Sequence, residues 1–381
     1  MHIITKKDGD FVKIMLAIGT RPEAIKMLPL ALELKKHPTL NLKICFSGQH
    51  DSLAKDVFEV FKIEPDLCFN AMKMGQGLAA LTSRLLNYFD LALYEEKPDI
   101  LLVHGDTTTA FSASLAAFYR GVKIAHVEAG LRTQRLRDPF PEEFNRLAID
   151  TLSDVCFAPT EKARENLIKE GKKHVFTVGN TVIDALKYTL KKDYASPLID
   201  MAQGRKIVLI TAHRRENIDA DFCGILGGIA DVFYERDDLF GIFPMHPNPR
   251  VREGVKEMLL HIKNIKICEP LRVDEFHNIL SISHAVITDS GGIQEEAAHL
   301  GIPIFLLRKV TERPEITDAG NMLILGTDRH FIRKTLISTL KSPEIMSKMS
   351  QKSPLYGNGT ASEKIAKNLL SFLENGDIIT M

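Results

Sequence analysis

What the chain lacks narrows its function first. The five cysteines, Cys45, Cys68, Cys156, Cys223 and Cys268, are scattered and form no CxxC pair. Most lie in apolar, strand-like runs, so buried free thiols are expected in place of a disulfide framework or a zinc site, which fits a reducing cytosol. No apolar run approaches the roughly 20 residues that span a bilayer. Met1 to Phe11 carries charges where an export signal needs its apolar core, and reads as an extension ahead of the fold. Neither sign of charge is in excess, since 49 Lys and Arg balance 49 Asp and Glu. That argues against nucleic-acid binding by bulk electrostatics and leaves room only for local basic pockets. No GxxxxGK[ST] is present, no G-x-G-x-x-G follows the first strand, and there is no HExxH. A P-loop, a nicotinamide cofactor and a helical metal site are therefore not indicated.

What is present is a composition of soluble globular type, 45% hydrophobic and 26% charged, over 381 residues, enough for two domains of ordinary size. Short apolar runs alternate with helical segments. Lys13 to Ile18, Leu42 to Phe46, Asp99 to Val103, Val122 to Val127, Val155 to Ala158 and His174 to Val178 read as strands. Helices are expected from Pro22 towards Lys36, Asp51 to Phe61, Gly77 to Tyr94 and Pro141 to Leu152. This alternation predicts an α/β domain with a parallel sheet covered on both faces. Pro29 predicts a kink or break near Leu28. Lys187 to Gly204 is polar and reads as a hinge region. The pattern then restarts with Lys206 to Ile210, Leu239 to Pro244 and Ile265 to Cys268. Thr360 to Glu363 has the spacing of a capping box, opening a last helix from about Ala361.

Ala285 to Arg313 is the most informative stretch. A strand, Ala285 to Thr288, meets Ser290-Gly291-Gly292, where the backbone turns sharply into a helix closed by Gly301 and Pro303. Such a helix opens with bare N–H groups at the carboxyl end of a strand, where open α/β sheets bind phosphate. Glu296, one turn inside, suits two neighbouring hydroxyls, as on a ribose.

Other polar residues also cluster just after strands. Asp106 follows one strand and precedes a helix, where aspartate also serves as an N-cap. Glu128 follows the next strand with no capping role. Glu142 and Glu143 open a helix, where they complement its dipole. His213 ends the first strand of the second half within the charged cluster His213-Arg214-Arg215-Glu216. His50 and His246 follow other strands. Arg21, Lys26 and Arg313 would either neutralise phosphate or decorate the surface. Two carboxylates and a histidine beside a diphosphate site suit proton transfer coupled to loss of a phosphate leaving group.

Together these segments resemble the bacterial non-hydrolysing UDP-N-acetylglucosamine 2-epimerases. The resemblance is carried by GTRPEAIKM (19–27), GQH (48–50), HGDTTT (104–109), HVEAGLRT (126–133), PFPEEFNR (139–146), GNTVIDAL (179–186), AHRREN (212–217), MHPNP (245–249), TDSGGIQEEA (288–297) and TERPE (311–315). It implies a GT-B fold, with two Rossmann-like domains whose parallel sheets face each other across a deep cleft. The first would span 1–186, with the C-terminal helix at about 361–376 packing back on it, and the second, UDP-binding domain 187–360. It implies reversible epimerisation of UDP-GlcNAc and UDP-ManNAc at C2, by elimination of UDP to 2-acetamidoglucal and re-addition, with no NAD or catalytic metal.

The resemblance makes Asp106, Glu128 and Glu142 the acid/base carboxylates and His213 the active-site histidine. Arg21, Lys26, Ser290, Gly291, Gly292, Glu296 and Arg313 match the UDP-holding positions, with Phe276 beside uracil. Gln49, His50, Arg214 and His246 match residues tied in some members to a second, activating substrate site. Ser52 and Gly75 are smaller than the side chains some members carry there, and Gln134 to Asp138 departs from the commoner, less basic pattern. A cytoplasmic homodimer supplying ManNAc for cell-surface polysaccharide is implied, with no nucleic-acid or membrane partner. The rival readings are a hydrolysing epimerase releasing ManNAc and UDP, a GT-B glycosyltransferase, and a catalytically idle UDP-sugar sensor.

Overall fold

The computed structural model describes residues 11–48, 52–71, 75–214, 217–218, 221–311 and 313–374. The chain divides into two compact units. One runs up to Tyr188 and resumes at Gly357; the other is Thr189–Tyr356. Each is built on a parallel sheet flanked by helices. Among the described residues, no helix is long and apolar enough to cross a membrane.

In the first unit the strands are β1 (Val12–Ile18), β2 (Leu40–Phe46), β3 (Leu67–Cys68), β4 (Ile100–His104), β5 (Lys123–Val127), β6 (Val155–Ala158) and β7 (Val175–Thr177), in the order β3-β2-β1-β4-β5-β6-β7. Ile100 to Val103 are each 0% exposed, the signature of a strand covered on both faces. The sheet order reverses between β1 and β4. At such a switch point the loops after the two strands diverge and leave a crevice. The loops there are Gly19-Thr20-Arg21 and Gly105-Asp106-Thr107.

The helix Arg21–Leu34 starts where the Thr20 side chain accepts from the Glu23 amide. It runs unbroken through Pro29, so the expected break does not occur. Proline removes one intrahelical donor, and here residues 27–31 are buried and packed on both sides of that gap. The last helix, Ala361–Glu374, packs on this first helix. Its expected capping box is not the device used. Asp184 Oδ2 and Oδ1 accept from the Ala361 and Ser362 amides at 3.1 and 2.8 Å, while the Thr360 hydroxyl lies 2.7 Å from Asn358 Oδ1. A carboxylate far back in the sequence thereby fastens the C-terminal helix to the first unit.

The second unit contains β8 (Lys206–Thr211), β9 (Leu239–Pro244), β10 (Ile265–Cys268), β11 (Ala285–Thr288), β12 (Ile304–Leu306) and β13 (Met322–Ile324), in the order β10-β9-β8-β11-β12-β13. Its switch point falls between β8 and β11, which pair Thr211 with Thr288. Their hydroxyls lie 2.7 Å apart in the buried sheet. The segment expected as a hinge, Lys187 to Gly204, is not a free linker along its length. From Thr189 it is held to the helix Val273–Ile282 through Thr189–His277, Lys191–Asn278 and Ser196–Glu275 hydrogen bonds.

Candidate active site

In the first unit the loops after β1, β4 and β5 converge. Thr107, not Asp106, caps the helix Thr108–Arg120, its hydroxyl accepting from the Ala110 amide at 3.0 Å. Asp106 is thus released from the capping role. Its Oδ2 accepts from Arg146 Nη2 at 2.6 Å, and its carbonyl accepts from Asn145 Nδ2 at 2.8 Å. Both partners come from the helix Glu142–Leu152. The two glutamates that open that helix part company. Glu143 is buried, and its Oε1 accepts from the Thr133 and Gln134 amides. Glu142 is half-buried beside it.

Glu128 has φ +65°, a left-handed conformation that costs a side-chain-bearing residue of order 1–3 kcal/mol. The surroundings that hold it there are specific. Lys26 forms a short ion pair with Oε2, Asn180 Nδ2 donates to Oε2 at 2.6 Å, and His104 Nε2 lies 3.6 Å away. Burial lowers the His104 imidazole despite the nearby carboxylate. Lys26, read from sequence as a phosphate holder or surface residue, is 6% exposed and is the counter-ion of Glu128.

Beneath these loops lies a buried network that the sequence reading did not assign. His126 Nδ1 is 2.6 Å from Asp150 Oδ1, and Nε2 is 2.7 Å from the Gly105 carbonyl. Asp150 Oδ2 accepts from the Gly130 amide and pairs with Arg132. Burial would raise the Asp150 carboxyl, but His126 and Arg132 hold it below the usual carboxylate range. The network ties the Asp106 turn to the one after Glu128.

Glu23 ties the turn after β1 to the same place. Its carboxylate accepts from the Gly19 amide and from the Thr20 and Thr107 hydroxyls. Burial pushes this carboxyl up to about 7, against the downward pull of those donors. The folded chain therefore keeps the Glu23 proton to about pH 7, while the unfolded chain releases it near 4.5. Stability from this group is full below pH 4.5 and is lost as pH rises through 7, by roughly 3 kcal/mol in all. Denaturant titrations should show Glu23→Gln losing less stability than the parent between pH 5 and 8.5. Parallel pH profiles for the two proteins would refute this account.

In the second unit Asp289 organises the switch point. It is 0% exposed, and its Oδ2 accepts from the His213 and Arg214 amides at 2.8 Å each and from Asn217 Nδ2 at 3.1 Å. Its Oδ1 lies 3.3 Å from His213 Nδ1. The His213 ring is one-third exposed and stacks on His246, with centroids 5.2 Å apart. Burial, then the neighbouring His213, lowers the His246 imidazole.

Ser290 stands at the start of the helix Gly291–Leu300, and its own side chain makes no capping hydrogen bond. A Cβ built on Gly292 would meet nothing within 4 Å. Arg313 is buried, its Nε donating to Glu295 Oε1 at 2.6 Å. Glu296 is 5% exposed, and Phe276 is half-buried on the helix Val273–Ile282. Arg21 is half-buried at the start of its helix. Gln49 and His50 lie outside the described residues, as do Arg215 and Glu216.

The geometry thus offers restrained carboxylates at one switch point, and at the other a histidine on the aspartate that precedes the helix start at Ser290. Known proteins match the chain along nearly its full length. A family model described as UDP-N-acetylglucosamine 2-epimerase matches residues 32–370. The UDP-N-acetylglucosamine 2-epimerase of Bacillus subtilis (strain 168) is 45% identical over 361 residues, covering 94% of this chain and 95% of that protein. The S. aureus MnaA–UDP structure superposes with TM-score 0.92 at 41% identity, covering 96% of this chain and 97% of that one. The Neisseria meningitidis UDP-GlcNAc 2-epimerase bound to UDP-GlcNAc gives TM-score 0.90 at 40% identity, covering 94% and 100%.

Proposed function

Because the chain belongs to the UDP-N-acetylglucosamine 2-epimerase family, we propose that it interconverts UDP-GlcNAc and UDP-ManNAc without releasing the sugar. The C2 proton of the hexosamine is not acidic enough for simple removal. The reading that fits the residues is elimination: a base takes the C2 proton as the C1–O bond to UDP breaks, giving 2-acetamidoglucal and UDP. UDP then re-adds at C1 while a proton is delivered to the opposite face of C2. Inversion needs proton-transfer groups on both faces, which is the role proposed for Asp106, Glu128 and Glu142. His213, oriented by Asp289, serves the leaving diphosphate. Arg21, Arg313 and the Ser290-Gly291-Gly292 turn hold it, and Glu296 and Phe276 take the ribose and uracil. Lys26 is assigned here to Glu128 in place of the phosphates. The family resemblance further supports a cytoplasmic homodimer that supplies ManNAc for a cell-surface polysaccharide.

The observation that supports this reading is the helix start at Ser290, whose side chain makes no capping bond, next in sequence to Asp289, whose Oδ1 lies 3.3 Å from His213 Nδ1. A reaction that expels UDP and takes it back needs a grip on an unbonded diphosphate, and exposed helix N–H groups provide one. Incubation with UDP-GlcNAc alone in D2O, followed by NMR, tests it. Deuterium at C2 and an equilibrium with UDP-ManNAc are expected. Free ManNAc as the main product would favour the hydrolysing reaction, and absence of C2 exchange would remove the epimerase reading.

Gly292 gives a second test. Among the described residues, apart from its chain neighbours and its own helix backbone, nothing lies within 4 Å of where its Cβ would project. Gly292→Ala should therefore leave the fold intact and raise stability slightly through helix propensity, by less than the roughly 1 kcal/mol of a helix interior. The same methyl would crowd a diphosphate seated on the turn, weakening UDP binding by about tenfold or more. Unchanged UDP affinity by calorimetry would place the diphosphate elsewhere.

A further inference from the structure

The helix Val273–Ile282 presents four consecutive residues with different tasks. Glu275 accepts from the Ser196 hydroxyl at 2.8 Å. Phe276 is the proposed uracil neighbour. Asn278 donates to the Thr189 carbonyl at 2.8 Å and accepts from the Lys191 amide at 2.9 Å. His277, 1% exposed, sits between them and faces two ways. Its Nδ1 is 2.7 Å from the Thr189 hydroxyl, and its Nε2 is 3.5 Å from Glu296 Oε2. That carboxylate oxygen is buried and has no hydrogen bond among the described residues. A buried acceptor left unpaired is costly, and 3.5 Å is one small adjustment from a charge-assisted bond. Pairing with Glu296 requires the hydrogen on Nε2, and the Thr189 hydroxyl then donates to Nδ1. A ribose bound by the other carboxylate oxygen would fix Glu296 and close the remaining gap.

We propose that His277 is a positioning residue of the nucleotide site, aiming the Glu296 carboxylate at the ribose hydroxyls. Its anchor on Thr189 ties that grip to the segment by which the chain enters the second unit. The inference rests on the functional reading above. It explains why a residue with no proposed ligand contact is a buried histidine. A phenylalanine would fill the same space but supply neither bond.

Calorimetric titration of the full chain with UDP and with 2′-deoxy-UDP separates this role from general stabilisation. In the parent protein, loss of one hydroxyl bond to a carboxylate should weaken 2′-deoxy-UDP by about tenfold or more relative to UDP. In His277→Phe this discrimination should fall to about threefold or less. His277→Gln, which keeps a donor near the Nε2 position, should retain most of it. Thr189→Val, which leaves the histidine in place, should lie between. A merely structural role would lower the melting temperature but leave the ratio of the two affinities unmoved. A ratio unchanged in the folded Phe variant, or in Thr189→Val where the Phe variant does not fold, overturns the inference alone. Equal affinities in the parent would remove Glu296 as the hydroxyl acceptor, and the inference with it. No UDP binding by the parent would overturn the functional reading as well.

Discussion

Glu128→Gln should lose C2 proton exchange by about 10²–10⁴-fold, the range removed with a general acid or base. The same change should also destabilise the fold, and the two effects have separable causes. Glu128 and Lys26 form an ion pair whose side chains are only 10% and 8% exposed. Neutralising one partner of a buried ion pair is strongly destabilising, at about 3–5 kcal/mol. Replacing both partners with groups of similar volume is far less costly. Glu128→Gln combined with Lys26→Met should therefore recover much of the lost stability, measured by denaturant unfolding, while C2 exchange in D2O stays absent. Near-normal exchange in the stable double variant would make Glu128 a structural residue and shift the proton transfer to Asp106 and Glu142.

This pair shows where sequence reading stops. That polar residues gather behind the strands was legible, because buried parallel strands read as apolar runs and the residues ending them stand out. The helix opening at Ser290 was legible for the same reason. The partners were not. Lys26 and Glu128 are 102 residues apart, His213 and Asp289 are separated by a whole sheet crossover, and Asn180 approaches Glu128 from 52 residues away. A lysine one turn into a helix looks the same whether it awaits a phosphate or a carboxylate. Asp106 and Thr107 are both good caps, and only the backbone decides between them. Glu142 and Glu143 are equivalent in sequence; the fold buries one against the Thr133 loop. The capping box at Thr360 failed similarly, since Asp184 reaches the same helix start from another element. Strands of two or three residues, such as Leu67–Cys68 and Met322–Ile324, are too short to show a period at all.

Asp289→Asn should leave the sheet intact but lower kcat by about 10²–10⁴, the scale seen when a catalytic imidazole loses its orienting carboxylate. The expectation follows from the bonds Asp289 accepts. One oxygen takes the His213 and Arg214 amides and the Asn217 side chain, and the other faces His213 Nδ1 at 3.3 Å. Asparagine has a single acceptor oxygen. If that oxygen stays on the amides, its NH2 faces Nδ1, so the ring must turn or adopt the tautomer with its hydrogen on Nε2. If the amide flips, two buried backbone donors lose their acceptor, at about 1–3 kcal/mol each. Either outcome disturbs the imidazole proposed to serve the departing diphosphate, while the helix start at Gly291 is left in place. UDP affinity should therefore change far less than kcat. A matched loss of affinity and turnover would mean that Asp289 builds the diphosphate grip itself. A normal kcat would mean that His213 needs no orienting partner.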